Sequence, residues 1–152
     1  MRAARRAAAD DREAGVGGDE ATLDWVHAAA GLLAGGAGMD EVARWAGAPD
    51  AAGDEVTVTG PEAVPGALDV LVSGEGGRPE AVSAAYGEGE GPLLDDAILA
   101  LGAWHEFTRE APGPYQGAFT GSAPRGWEVV GTLPDPPGAA GRRLVEVALV
   151  RD

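Results

Sequence analysis

Two histidines supply all the imidazole chemistry this 152-residue chain can offer, and each has a carboxylate nearby. His105 opens the string HEFTR, where Glu106 and Glu110 could share a proton with it. A histidine and a carboxylate held within hydrogen-bond reach perform general acid-base catalysis. The string begins like the helix of a zinc protease, but Arg109 stands where the second histidine is needed, and a guanidinium cannot ligate a metal. His27 follows Asp24 by one helical turn, a spacing that lets the carboxylate orient the ring. Two such groups do not complete a metal site.

Other reactive patterns fail on their surroundings. Ser73, Ser83 and Ser122 lie in no G-x-S-x-G turn, so none has the backbone of a serine nucleophile. The glycine strings GGAGMDE and GEGEGP each precede a helical pattern and could aim amides at a phosphate, but Asp40, Glu41, Glu88 and Glu90 would repel it. Glu88, Glu90, Asp95 and Asp96 could attract calcium, yet their spacing matches no EF-hand loop. Lysine and cysteine are both absent, which removes the Walker lysine, the Schiff base, the thiol nucleophile, the disulfide and the zinc-thiolate centre. No metal ligand set and no cofactor is assigned. The catalytic alternative rests on His105, Glu106 and Glu110, in a pocket between helix and sheet.

The segment PGPYQGAFTGSAPRG, residues 112 to 126, reads as a long loop, a kind of segment that often carries function. Tyr115 and Phe119, with Trp127 just beyond, offer rigid contact area, and Gln116 and Arg125 offer polar contacts. These five are the candidate partner-binding residues.

Such side chains need a scaffold, and apolar spacing outlines one. Leu23, Val26, Ala30 and Leu33 recur at helical spacing behind Thr22 as a cap, and Met39, Val42 and Trp45 share the face of a second short helix. From Asp54 the period becomes two: Val56 and Val58, then Leu68, Val70 and Val72, then Val82, Ala84 and Tyr86. Short glycine- and proline-bearing connections predict an antiparallel meander. A long helix is expected over residues 92 to 111, with Leu94, Ile98, Leu101 and His105 on one stripe beside Trp104. Trp127 to Leu133 and Val145 to Leu149 read as two further strands. The expected fold is α+β: an N-terminal helical hairpin, then a five-stranded, mainly antiparallel sheet in the order β-β-β-α-β-β, covered by one long helix. Residues 1–20 are expected to be a flexible arm, and residues 21–152 a single domain.

Composition narrows the function class. Twenty-five acidic residues against eleven arginines give a formal charge of −14. The imbalance is concentrated in residues 14–100, where two arginines face 16 acids, whereas residues 1–13 hold four arginines and three acids. A surface of that sign repels phosphate backbones and anionic membranes and attracts basic proteins. The helical pair resembles a helix-turn-helix reader in outline, but Arg44 is the sole base on its second helix. The dominance of alanine and glycine is the bias expected of GC-rich codons, as in a high-GC bacterium, its virus or a similar genome. With neither a secretory h-region nor a long apolar run, a cytoplasmic location is expected.

In element order and charge the chain resembles small secretion-chaperone-type proteins and acidic bacterial immunity proteins. The resemblance is one of shape, and it implies binding of a client or partner polypeptide without assigning any residue. The expected function is therefore a small acidic module, chaperone-like, immunity-like or accessory, that docks a more basic protein. The alternative is a small-molecule-binding protein or enzyme centred near His105.

Overall fold

In the computed structural model, which describes residues 23–50, 53–87, 89–107, 115–134 and 142–152, the first apolar stripe forms helix α1, Asp24–Ala34. It buries Trp25, Val26, Ala29, Ala30 and Leu33 along one side. Leu23 occupies the cap position, and the expected cap Thr22 lies outside the described residues. Helix α2, Met39–Ala46, buries Met39, Val42, Ala43 and Ala46. Asp40 and Glu41 sit in its first turn, where the helix dipole favours negative charge. The two helices meet through Trp25 and Trp45, whose ring centroids are 6.3 Å apart.

Strands β1 (Glu55–Thr59), β2 (Asp69–Glu75) and β3 (Arg78–Ala85) form the antiparallel meander that the two-residue period indicated. Gly76 and Gly77 make the turn between β2 and β3, with φ of 62° and 82°. Two consecutive positive φ values match the right-handed twist of a hairpin, and glycine accepts them without strain.

The expected long helix is corrected to α3, Leu94–Leu101. Gly102 stops it with φ 103° and ψ −178°, a conformation essentially confined to glycine. The chain then turns into a short strand, β4 (Trp104–Glu106), which pairs with β5 (Tyr115–Phe119) inside the segment expected to be a loop. Strands β6 (Trp127–Leu133) and β7 (Glu146–Arg151) complete the sheet. Among the described residues the result is one seven-stranded antiparallel sheet, ordered β1-β2-β3-β7-β6-β5-β4, with three small helices, in place of five strands under one long helix. The last strand enters at the centre, between β3 and β6, and joins two meanders. Helix α3 carries the chain from that centre to the far edge.

Alternate residues of a strand point to opposite faces, so the register sorts the sheet into two surfaces. One holds the row Val56, Val72, Val82, Leu149, Val129 and Phe119, and beside it Val58, Val70, Ala84 and Val147. These residues and the buried sides of the three described helices belong to one hydrophobic cluster. Trp104 closes the β4 end of this face by lying against Gly117, where an added Cβ would come within 2.7 Å of the indole. Its ring centroid is 4.9 Å from that of Phe119. The cluster holds no residue of the opposite face.

Candidate functional site

The opposite face, helix-free among the described residues, carries three cross-strand rows. The middle row runs Thr57, Leu71, Ser83, Ala148, Val130, Ala118 and His105 from β1 to β4. On one side of it lie Thr59, Asp69, Ala85, Glu146, Thr132 and Gln116, and on the other Glu55, Ser73, Ala81, Val150 and Glu128. From Ala81 to the end of β3 the outward side chains are small, Ala81, Ser83 and Ala85, whereas Arg78 and Glu80 at its start are exposed and charged. Ala118 and Ala148 are also shielded, because short side chains are shaded by taller neighbours such as Val130. Four carboxylates, Glu55, Asp69, Glu128 and Glu146, stand around this shallow apolar centre, and no arginine occupies any position of the three rows.

One of those carboxylates is oriented by its neighbours. Gln116 donates from Nε2 to the Thr132 hydroxyl at 3.3 Å, and Thr132 donates to Glu146 Oε1 at 3.4 Å. The ladder crosses three strands and uses the hydroxyl both as acceptor and donor, which explains how Thr132 is buried without an unpaired polar atom. Three of the described arginines engage elsewhere. Arg142 pairs with Glu106 at 2.7 Å, Arg143 donates to the Gly91 carbonyl, and Arg151 donates to the Pro79 carbonyl while lying 4.6 Å from the Trp127 ring centroid.

The five candidate partner-binding residues fall on both surfaces. Phe119 and Trp127 are buried in the hydrophobic cluster, and Tyr115 is half-buried against it. Gln116 and Arg125 are exposed, Gln116 on the helix-free face and Arg125 in the turn before β6. The residues of the catalytic alternative also separate. His105 is an exposed strand residue on the helix-free face, not a helical one, whereas Glu106 points to the other side. There Glu106 Oε2 accepts from Arg142 and from the Trp104 indole at 3.3 Å. Glu110 lies outside the described residues. His27 meets the Ala100 carbonyl through Nε2 at 3.2 Å and so ties α1 to the end of α3.

The outward residues of β3 were legible as a strand but not as a surface. Their signal in the sequence was small residues where an ordinary solvent-facing strand carries charge, as in AVSAAY. An open groove of about 590 Å³ lies between the end of α2 and the β1–β2 connection, lined by Trp45, Gly47, Val58, Pro61 and Glu62. Glu62 is its one titratable side chain, so it holds no acid-base pair. Among the described residues no group of three or more His, Asp or Glu side chains is placed to hold a metal ion, and no helix is long and apolar enough to cross a membrane. The chain matches no protein-family model, no curated protein and no solved structure.

Proposed function

We propose that this chain is a small acidic protein-binding module that docks a more basic partner protein. The observation that carries this reading is the placement of its charge. Asp24, Asp40, Glu41, Asp54, Glu55, Glu62, Glu75, Glu80 and Asp95 are all exposed, within a stretch that holds two arginines against 16 acids. Carboxylates left without cations create a negative potential that steers a positive partner and raises its association rate, an effect that fades as salt screens it. A client-binding or immunity-type role of this kind needs no catalytic group.

The test is mass spectrometry of what co-purifies with the tagged full chain from its native cells, without cross-linking, at low and at high salt. A basic protein recovered in stoichiometric amount at low salt and lost at high salt is the expected result. Recovery of the chain alone as a monomer at low salt overturns the reading.

A further inference from the structure

From the sheet register we infer that the face against which no described helix packs is the docking surface for that basic partner, and that the partner offers arginine or lysine side chains around a small apolar contact. The inference rests on the proposed function and adds its location. Most antiparallel sheets that leave one face open present charged or polar residues on it. Here the centre of the open face is apolar and low, with Leu71, Ala81, Ser83, Ala85, Ala148, Val130 and Val150 contributed by four adjacent strands. Leu71 and Val130 are half-buried and Val150 is 36% exposed. None of them takes part in the core cluster.

The carboxylates are arranged as the corners of this patch. Asp69 and Glu146 lie in one outer row, two strand spacings apart, and Glu55 and Glu128 lie in the other, four spacings apart. With strands about 4.8 Å apart and a rise of about 3.3 Å per residue, the corners are separated by about 10 Å and about 19 Å across the strands, and the rows by about 13 Å. That frame admits one helix or one extended segment whose small side chains settle over β3 while its basic side chains reach outward to the carboxylates. A second copy of this chain is disfavoured, because two such faces would bring like charges together. The partner's charge is therefore specified: positive at the rim, small and apolar at the centre. A footprint of this size is below the roughly 800 Å² per partner of a standard stable interface, so charge pairs carry a large share of the affinity and salt weakens the contact.

The experiment is an NMR titration of the isotope-labelled full chain with a synthetic peptide of alternating arginine and alanine, at low and high salt. The expected shifts map to the backbone amides of Ser83, Ala85, Val130 and Ala148. The Glu128→Gln/Glu146→Gln double variant, which keeps an acceptor for Thr132, is expected to weaken binding about tenfold. The control Asp40→Asn/Glu41→Gln, which removes the same charge from α2, is expected to weaken it less than about twofold. Equal weakening by both pairs, or shifts confined to the helices, overturns the docking face while leaving the basic-partner reading intact. Absence of saturable binding at low salt overturns both. Tighter binding after Arg2, Arg5 and Arg6 are replaced by Gln assigns the face to the chain's own arginines, and a dimer in sedimentation assigns it to a second copy. Either result overturns the inference.

Discussion

Tyr86 shows how one side chain can tie a helix to the sheet and leave a mark on the pH profile. Its ring is buried at the end of β3, and its hydroxyl accepts from the Trp25 indole of α1 at 3.2 Å. Burial pushes the phenol up from 10.0 to about 12, while the bond from Trp25 pulls the other way. The folded state therefore keeps a proton that the unfolded state loses first. Its contribution is fully present below pH 10 and is lost as pH rises from 10 toward about 12, up to roughly 2–3 kcal/mol. Tyr86→Phe should cost about 1–2 kcal/mol at neutral pH, because the indole N–H loses its acceptor, and should flatten that alkaline loss. Thermal melts of both proteins across the alkaline range decide this, and parallel curves would remove Tyr86 as the cause. Gly102 is the second decisive residue. A Cβ there would lie 2.5 Å from the Gly121 backbone nitrogen, in a conformation that L side chains rarely adopt. Gly102→Ala is expected to destabilise the chain by about 3 kcal/mol or more in urea unfolding, and a loss below about 1 kcal/mol would refute the close approach.

The elements differ in how much of them could be read from the residues. The two first helices and the β1–β2–β3 meander were legible because their apolar positions recur cleanly and Gly76–Gly77 marks a hairpin. The end of α3 was not, because Leu94, Ile98 and Leu101 set up a stripe that His105 continues by spacing alone. Gly102 gave the one warning, and a lone glycine in a helical pattern is commonly tolerated. β4 has only three residues, Trp104–Glu106, too few for a period to show. β5 carries Gly117 at its centre, beneath Trp104, so its inward face lacks the apolar side chain that would have announced a strand. The same limits hid the candidate site: Gln116 was singled out, but its neighbours Thr132 and Glu146 are joined to it only by register. The two faces can be tested on adjacent residues of β6. Val129 is fully buried in the core cluster, whereas Val130 is half-buried on the open face. Val129→Ala should cost about 2–3 kcal/mol and Val130→Ala less than about 1 kcal/mol. Equal losses in chemical denaturation would mean that both faces support the fold alike.

At the scale of the whole molecule, the charge that favours a basic partner works against the free chain. A formal charge of −14 on 152 residues means that most carboxylates have no cation to pair with, and their mutual repulsion favours any expanded state. Salt acts on the two electrostatic contributions with opposite signs. It weakens attractive pairs such as Arg142–Glu106, but that pair is more than a third exposed on both sides and contributes little. It also screens the repulsion, which is summed over many acids and extends beyond a Debye length of about 10 Å at 0.1 M. The second effect should win. Raising sodium chloride from about 0.05 M to about 0.5 M is expected to stabilise the free chain by about 1 kcal/mol, a rise in Tm of roughly 2–4 °C. The same change in salt should weaken partner binding, so stability and affinity would move in opposite directions along one axis. Calorimetry of the free chain across that series is the measurement. A Tm that falls with salt would show that local ion pairs outweigh the net repulsion, and the acidic surface would then lose its standing as a field poised for a positive partner.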